Sequence, residues 1–186
     1  MSTDDRRVRK TKKALQEALA AIMAIKELRN ITIRELTDKA DVHRATFYAH
    51  YKDIYDLYEQ LENAMIDEIS KIIVVDPSHT YEELFNRIID YVYDNSKIWC
   101  MFLKNSMFHE RISNLIEEKY FHIWQYERAQ GVVSGEWRFL ARYHIQGCLA
   151  IVRHWSENDY AYPKDKLIDL IIRVDDHLDE IIEKNL

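Results

Sequence analysis

The stretch that decides the fold is DVHRATFYAHYKDIYDLY, Asp41 to Tyr58. It holds two histidines, Arg44, Lys52 and five aromatic residues. It can be read as a metal or catalytic site, as an aromatic core helix, or as a surface built to touch a polyanion. Spacing separates these readings. A short helix over Arg44 to His50 turns Val42, Phe47 and Tyr51 inward and leaves His43, Arg44, Thr46, Tyr48 and His50 outward or flanking. The apolar side holds the helix against its neighbours. The other side carries groups that can reach DNA: Arg pairs with guanine through two hydrogen bonds, Thr offers a hydroxyl and a methyl, and Tyr and Lys anchor phosphates. His43 and His50 are seven residues apart, but no Cys, Asp or Glu at suitable spacing completes a zinc set, so no metal is expected.

Upstream lies ITIRELTDKA, Ile31 to Ala40. Thr32 followed by Glu35 matches a capping box, so a helix is expected to begin at Ile33, exposing Arg34 and burying Leu36 and Ala40. Asp41 and Val42 make a short break before the next helix. Further upstream, a basic opening runs into ALQEALAAIMAI, where Leu15, Leu19, Ile22 and Met23 recur at helical spacing and predict a first helix over residues 5–25. Three short helices with a three- to four-residue turn before the last form a helix-turn-helix. The second helix braces on the DNA backbone and the third enters the major groove.

Downstream, Lys52–Asp53 interrupts the chain, and a long helix is expected from Asp53 to Ile73 with Ile54, Leu57, Leu61, Met65, Ile69 and Ile72 as its apolar stripe. Pro77 makes VVDPSH a linker. Thr80 and Glu83 form a second capping box opening a fifth helix. A sixth covers KIWCMFLKN, a seventh residues 109–129, an eighth Glu136 to Glu157, and a ninth runs from Pro163 to Lys184. The expectation is an all-α fold of about nine helices, with a head over residues 1–52 and a helical regulatory and dimerisation body over residues 53–186.

Charge divides at the same place. Of the 26 Lys and Arg and 32 Asp and Glu, residues 1–52 hold twelve basic against seven acidic, a balance of +5. The remainder holds fourteen against twenty-five, a balance of −11, and the two sum to the net −6. A basic head on an acidic body lets only the head meet a polyanion. No apolar run reaches the length of a membrane span and the N-terminus is charged, so a cytoplasmic protein with no membrane partner is expected. Cys100 and Cys148, each in an apolar stretch, make no disulfide framework.

With these residues in view, Ile31 to Tyr58 resembles the DNA-binding segment of the TetR family of bacterial transcription regulators. Thr32, Ala40, Val42, Thr46, Phe47, Tyr48, His50, Tyr51 and Lys52 occupy that family's pattern, and the basic run Arg6 to Lys13 stands where its members place an arm near DNA. The family usually has Gly where this chain has Asp41, and Ser, Asn or Thr where it has His43. Gly147, Trp155, Pro163 and Leu167 fit a C-terminal domain similar to that of the dihydroxyacetone kinase regulator subgroup. The resemblance implies double-stranded DNA as partner, with Arg9, Lys10, Thr32, His43, Arg44, Ala45, Thr46, Tyr48, His50 and Lys52 as the DNA-binding set. It implies an effector cavity among helices four to eight, for which Met65, Tyr91, Trp99, Phe102, Phe108, Trp124 and Tyr143 are the aromatic and thioether candidates, and a small-molecule effector or protein partner as the control.

A homodimer is expected through the last two helices, using Ile145, Cys148, Leu149, Val152, Leu167, Leu170, Ile171 and Val174, because a two-fold pair presents two recognition helices one DNA turn apart. Repression is favoured over activation. No Gly-rich phosphate loop, nucleophile elbow or paired-carboxylate motif is present, so neither enzyme nor cofactor is expected. The alternative is a helical adaptor acting through protein partners, against which the +5 head argues.

Overall fold

The computed structural model describes residues 3–73, 81–103, 105–127 and 135–185, and every regular element among them is helical. The α-helices are α1 (Thr3–Met23), α2 (Ile33–Ala40), α3 (Arg44–Tyr48), α4 (Ile54–Ile72), α5 (Tyr81–Asp94), α6 (Ser96–Leu103), α7 (Ser106–Glu127), α8 (Gly135–Glu157) and α9 (Lys164–Asn185). A 3-10 turn, Leu28–Asn30, joins α1 to α2. The all-α reading holds. Pro77, Thr80 and Gly131, which the sequence analysis used as boundaries, lie outside the described residues. Helix ends shift by a few residues in several places, and two of the differences have a visible cause. Helix α3 ends at Tyr48, because the His50 N–H already bonds back three residues to Phe47 O at 3.0 Å. Helix α7 begins at Ser106, because the Asn105 N–H closes α6 on Phe102 O at 2.8 Å and frees the chain to start again.

The described chain forms two units: Met1–Ile66 with Lys97–Asn105, and Asp67–Ser96 with Ser106–Leu186. The first unit therefore extends past the expected boundary at Lys52. Its core explains why. Leu15, Leu19 and Ile22 of α1, Leu36 of α2, and Phe47 and Tyr51 in and after α3 are buried, and α2 packs on both α1 and α3. The first turns of α4 add Ile54, Leu57, Leu61 and Met65 to the buried set. Helix α6 completes the unit. The Tyr58 ring centroid lies 4.9 Å from that of Phe102, and Asn105 Nδ2 donates to Tyr58 Oη at 2.8 Å. A head of three helices, two of them short, has little apolar surface of its own, so it borrows area from the next long helix.

In the second unit α7 packs on α8, and α9 packs on both α5 and α8. Phe85, Ile89 and Val92, Phe108 and Ile112, Ile145, Leu149, Val152 and Trp155, and Leu167, Ile168 and Ile171 form its core. Five of the eight residues expected at the dimer surface are covered within this unit. Ile145, Leu149, Val152, Leu167 and Ile171 are buried in the chain's own unit, because the most apolar stripes of α8 and α9 are taken up by each other and by their neighbours. Leu170 and Val174 are exposed, and Cys148 is half-buried.

The turn between α8 and α9 places Asp159 and Tyr160 at φ 53° and 57°, a backbone region that disfavours side chains. Aromatic packing holds it. Tyr160 meets Trp155 edge-on at 4.8 Å and Tyr93 at 5.6 Å, and Trp155 Nε1 donates to Tyr162 O at 2.7 Å.

Candidate nucleic-acid interface

The surface around α3 is assembled by local chemistry. Thr32 is the N-cap of α2, and its Oγ1 accepts from the Glu35 N–H at 3.2 Å. The return half of the expected capping box is replaced: the Glu35 carboxylate takes Lys26 Nζ at 2.8 Å. That hydrogen bond holds the Glu35 carboxyl below the usual range. Inside α2, Thr37 Oγ1 donates to Ile33 O at 2.8 Å, which satisfies a buried hydroxyl within its own helix.

The turn is made by Asp41 at φ 53° and ψ 48°, the left-handed conformation that usually calls for Gly. With it in place, the Val42 N–H reaches Thr37 O at 3.0 Å and closes the end of α2. His43 then caps α3 with extended backbone and no side-chain cap bond. The first free N–H groups of α3 are thus left without the acceptor that Ser or Asn would supply.

Helix α3 is held by Phe47, whose side chain is fully buried, while Arg44, Ala45 and Tyr48 are exposed and Thr46 and His50 half-buried. Arg44 Nη2 donates to Tyr48 Oη at 3.3 Å, and the guanidinium sits 5.7 Å from the Tyr48 ring centroid. Two of the residues expected to touch DNA therefore touch each other, which orients a long flexible side chain before any ligand arrives. Lys12 Nζ lies 6.0 Å from the Tyr51 ring centroid, tying α1 to the segment between α3 and α4. Asp53 caps α4 by accepting from the Asp56 N–H at 2.8 Å, and Asp56 Oδ2 in turn accepts from the Lys52 N–H at 2.8 Å. The Lys52 backbone is fixed while its side chain is exposed. Hydrogen bonds from Gln60 and from that N–H keep the Asp56 carboxyl below its ordinary range. Arg9 and Lys10 are exposed on the first turns of α1.

The expected effector residues are scattered. Met65, Trp99 and Phe102 are buried in the first unit and Phe108 in the second. Tyr91 is half-buried, and burial pushes its phenol up to about 12. Tyr143 is 70% exposed on α8, so it lines no interior. The Trp124 side chain lies outside the described residues. The second unit does contain a cavity of about 70 Å³, and none of the seven lines it. Its wall is formed instead by aliphatic side chains of α5, α7, α8 and α9 with Phe85, His144 and Cys148. His144 Nε2 lies 3.5 Å from Cys148 Sγ, one helical turn away, and burial pushes the imidazole pKa down. Of the large aromatics that drew the sequence reading, Trp99, Phe102 and Phe108 are packed in the cores of the two units. The signal that points to the cavity is a histidine and a cysteine four apart on the inward stripe of an apolar helix.

A family model described as the C-terminal region of transcriptional regulators matches residues 79–175. An uncharacterized HTH-type transcriptional regulator of Bacillus subtilis (strain 168), YxbF, is 39% identical over 66 residues, which is 35% of this chain and 17% of that protein. The chain thus spans less than a fifth of that relative's length. Among solved structures, a tetR-family transcriptional regulator from Streptomyces coelicolor is similar over 94% of this chain and 85% of its own, with a TM-score of 0.68 and 12% identity. The Dihydroxyacetone kinase operon activator DhaS is similar over 88% and 93%, with a TM-score of 0.62 and 17% identity. These two likenesses concern the fold.

Proposed function

The chain belongs to the TetR family of transcription regulators, DNA-binding proteins rather than enzymes, and from that premise we propose that it is a cytoplasmic homodimer reading a near-palindromic operator as a repressor under effector control. The observation that carries the operator reading is α3 itself. Fully buried Phe47 fixes it, and Arg44 and Tyr48, already paired, face solvent from an otherwise basic unit. Arg44, Thr46 and Tyr48 read base edges and phosphates in this proposal, with His43, Ala45 and His50 beside them. Lys52, Thr32 at the N-terminus of α2, and Arg9 and Lys10 grip the backbone.

The dimer reading rests on α8. Phe139 and Tyr143 are 79% and 70% exposed, and Gly147, Ala150 and His154 continue the same face along the helix. Nothing lies within 4 Å of a Cβ placed on Gly147. A glycine in mid-helix lowers stability by about 1 kcal/mol relative to alanine, and its own chain gives no reason for it. A second copy of α8 approaching closely supplies one, with exposed Leu170 and Val174 of α9 beside it. Repression requires only that an occupied operator exclude polymerase, so it needs no further surface.

The test is a binding titration on DNA from upstream of the chain's own gene, beside a scrambled duplex, with Arg44→Ala and Tyr48→Ala as variants. Each substitution is expected to weaken operator binding by roughly 10- to 100-fold while helicity and oligomeric state persist. Unchanged selectivity in both variants would remove the operator reading and leave a helical adaptor. A reporter placed behind the operator gives the sign.

A further inference from the structure

Helix α8 carries both halves of a contact that it cannot make with itself. Phe139, near its start, is 79% exposed on the same face as Tyr143 and Gly147. Near its other end an open groove runs between α8 and the first turns of α9. Ile151, His154, Trp155 and Asn158 form its α8 wall, and Ala161 and Leu170 stand among the residues opposite. The groove continues the outward face of α8, since Ala150 and His154 belong to both. No Lys, Arg, Asp or Glu is among its described lining residues. Two of its polar groups are already spent within the chain: Trp155 Nε1 donates to Tyr162 O at 2.7 Å, and Asn158 Nδ2 donates to His154 O at 2.7 Å. The surface it offers is mostly apolar and aromatic, which suits a ring better than a charged group.

The chain cannot fill this groove with its own Phe139. Sixteen residues separate Phe139 from Trp155 on one helix, about 24 Å along its axis. A second copy can. Phe139 stands eight residues before Gly147 and Trp155 eight residues after it. A two-fold axis at Gly147, with the two α8 helices side by side in opposite directions, exchanges those two levels. We propose that in the dimer Phe139 of each copy seats in the α8–α9 groove of the other, so that one contact is made twice around Gly147. The proposal rests on the dimer reading above and fixes the direction and register of the paired helices. Tyr143 and Ile151, four residues either side of Gly147, meet in the same register.

The experiment places the photoreactive p-benzoylphenylalanine at Phe139 of the full chain and maps the crosslinked peptides after irradiation. Covalent dimers joined between that position and residues 150–170 are expected, because the groove of the same copy is out of reach. Phe139→Ala empties the groove and Ala161→Trp fills it. Each is expected to weaken dimerisation at least tenfold in sedimentation, and the double variant to be no weaker a dimer than the weaker single, because both remove the same contact. Both positions are exposed, so the fold persists. Dimers crosslinked outside residues 150–170, dimerisation unchanged in both single variants, or additive losses in the double variant would overturn the seating and leave the dimer reading standing. A wild-type chain that sediments as a monomer overturns both.

Discussion

Asp41 carries the bend between α2 and α3 with a left-handed backbone and a carboxylate beside the negative end of α2. Both are unfavourable: the conformation suits glycine, and the charge opposes the helix dipole. Asp41→Gly is expected to raise stability by about 0.5–1 kcal/mol, and Asp41→Val to lower it by about 1–2 kcal/mol, measured by urea unfolding. His144 is the second residue with a consequence. Burial lowers its pKa below the ordinary 6.5, so the folded chain keeps it neutral where the unfolded chain takes up a proton. Its contribution to stability is whole above about pH 6.5 and is lost as pH falls toward the lowered value, by at most about 1.4 kcal/mol per pH unit. Unfolding free energies measured between pH 7.5 and 5 should show this decline, and His144→Leu should reduce its slope.

At the scale of elements, α3 and the body helices obey different rules. Helix α3 has five residues, too few to be stable by propensity, so its form depends on Phe47 in the core and on the cap bonds around it. Its position was legible because Thr32, the turn and the run Thr46 to Lys52 each have a local physical reason. Helix α8 is long, and its two faces are distinguished by what packs on them. Gly147 tests the outward one. Gly147→Ala should stabilise the helix by up to about 1 kcal/mol, since the added methyl meets nothing in its own chain. Gly147→Phe should leave the chain folded and shift sedimentation from dimer to monomer. A dimer unaffected by the bulky substitution would place the interface elsewhere.

For the whole molecule the organising quantity is the charge balance, +5 on residues 1–52 against −11 on the rest. The head must approach DNA while the body is repelled, so binding should depend steeply on salt. Each Lys or Arg that neutralises a phosphate contributes close to one unit of slope in log affinity against log salt. Arg9→Ala and Lys10→Ala are each expected to lower that slope by about one while the preference for operator over scrambled duplex persists. Loss of selectivity without a change in slope would show that these positions act through the head's structure and not as phosphate contacts.

The sequence by itself determined the helical class, most helix positions and the helix-turn-helix, because each depends on neighbours within a few residues: a cap, a turn residue, an apolar period. Tertiary structure alone decided how those helices share their surfaces. Ile145, Leu149, Val152, Leu167 and Ile171 read as an interface because periodicity marks an apolar face without saying what covers it, and their own unit covers them. Ile54–Ile66 of α4 and most of α6 fall in one unit with the head for the same reason, since the contact of Tyr58 with Phe102 and Asn105 spans more than forty residues of chain. The cavity at His144 and Cys148 likewise exists only where four helices fail to meet, and the space left between side chains has no spelling in sequence.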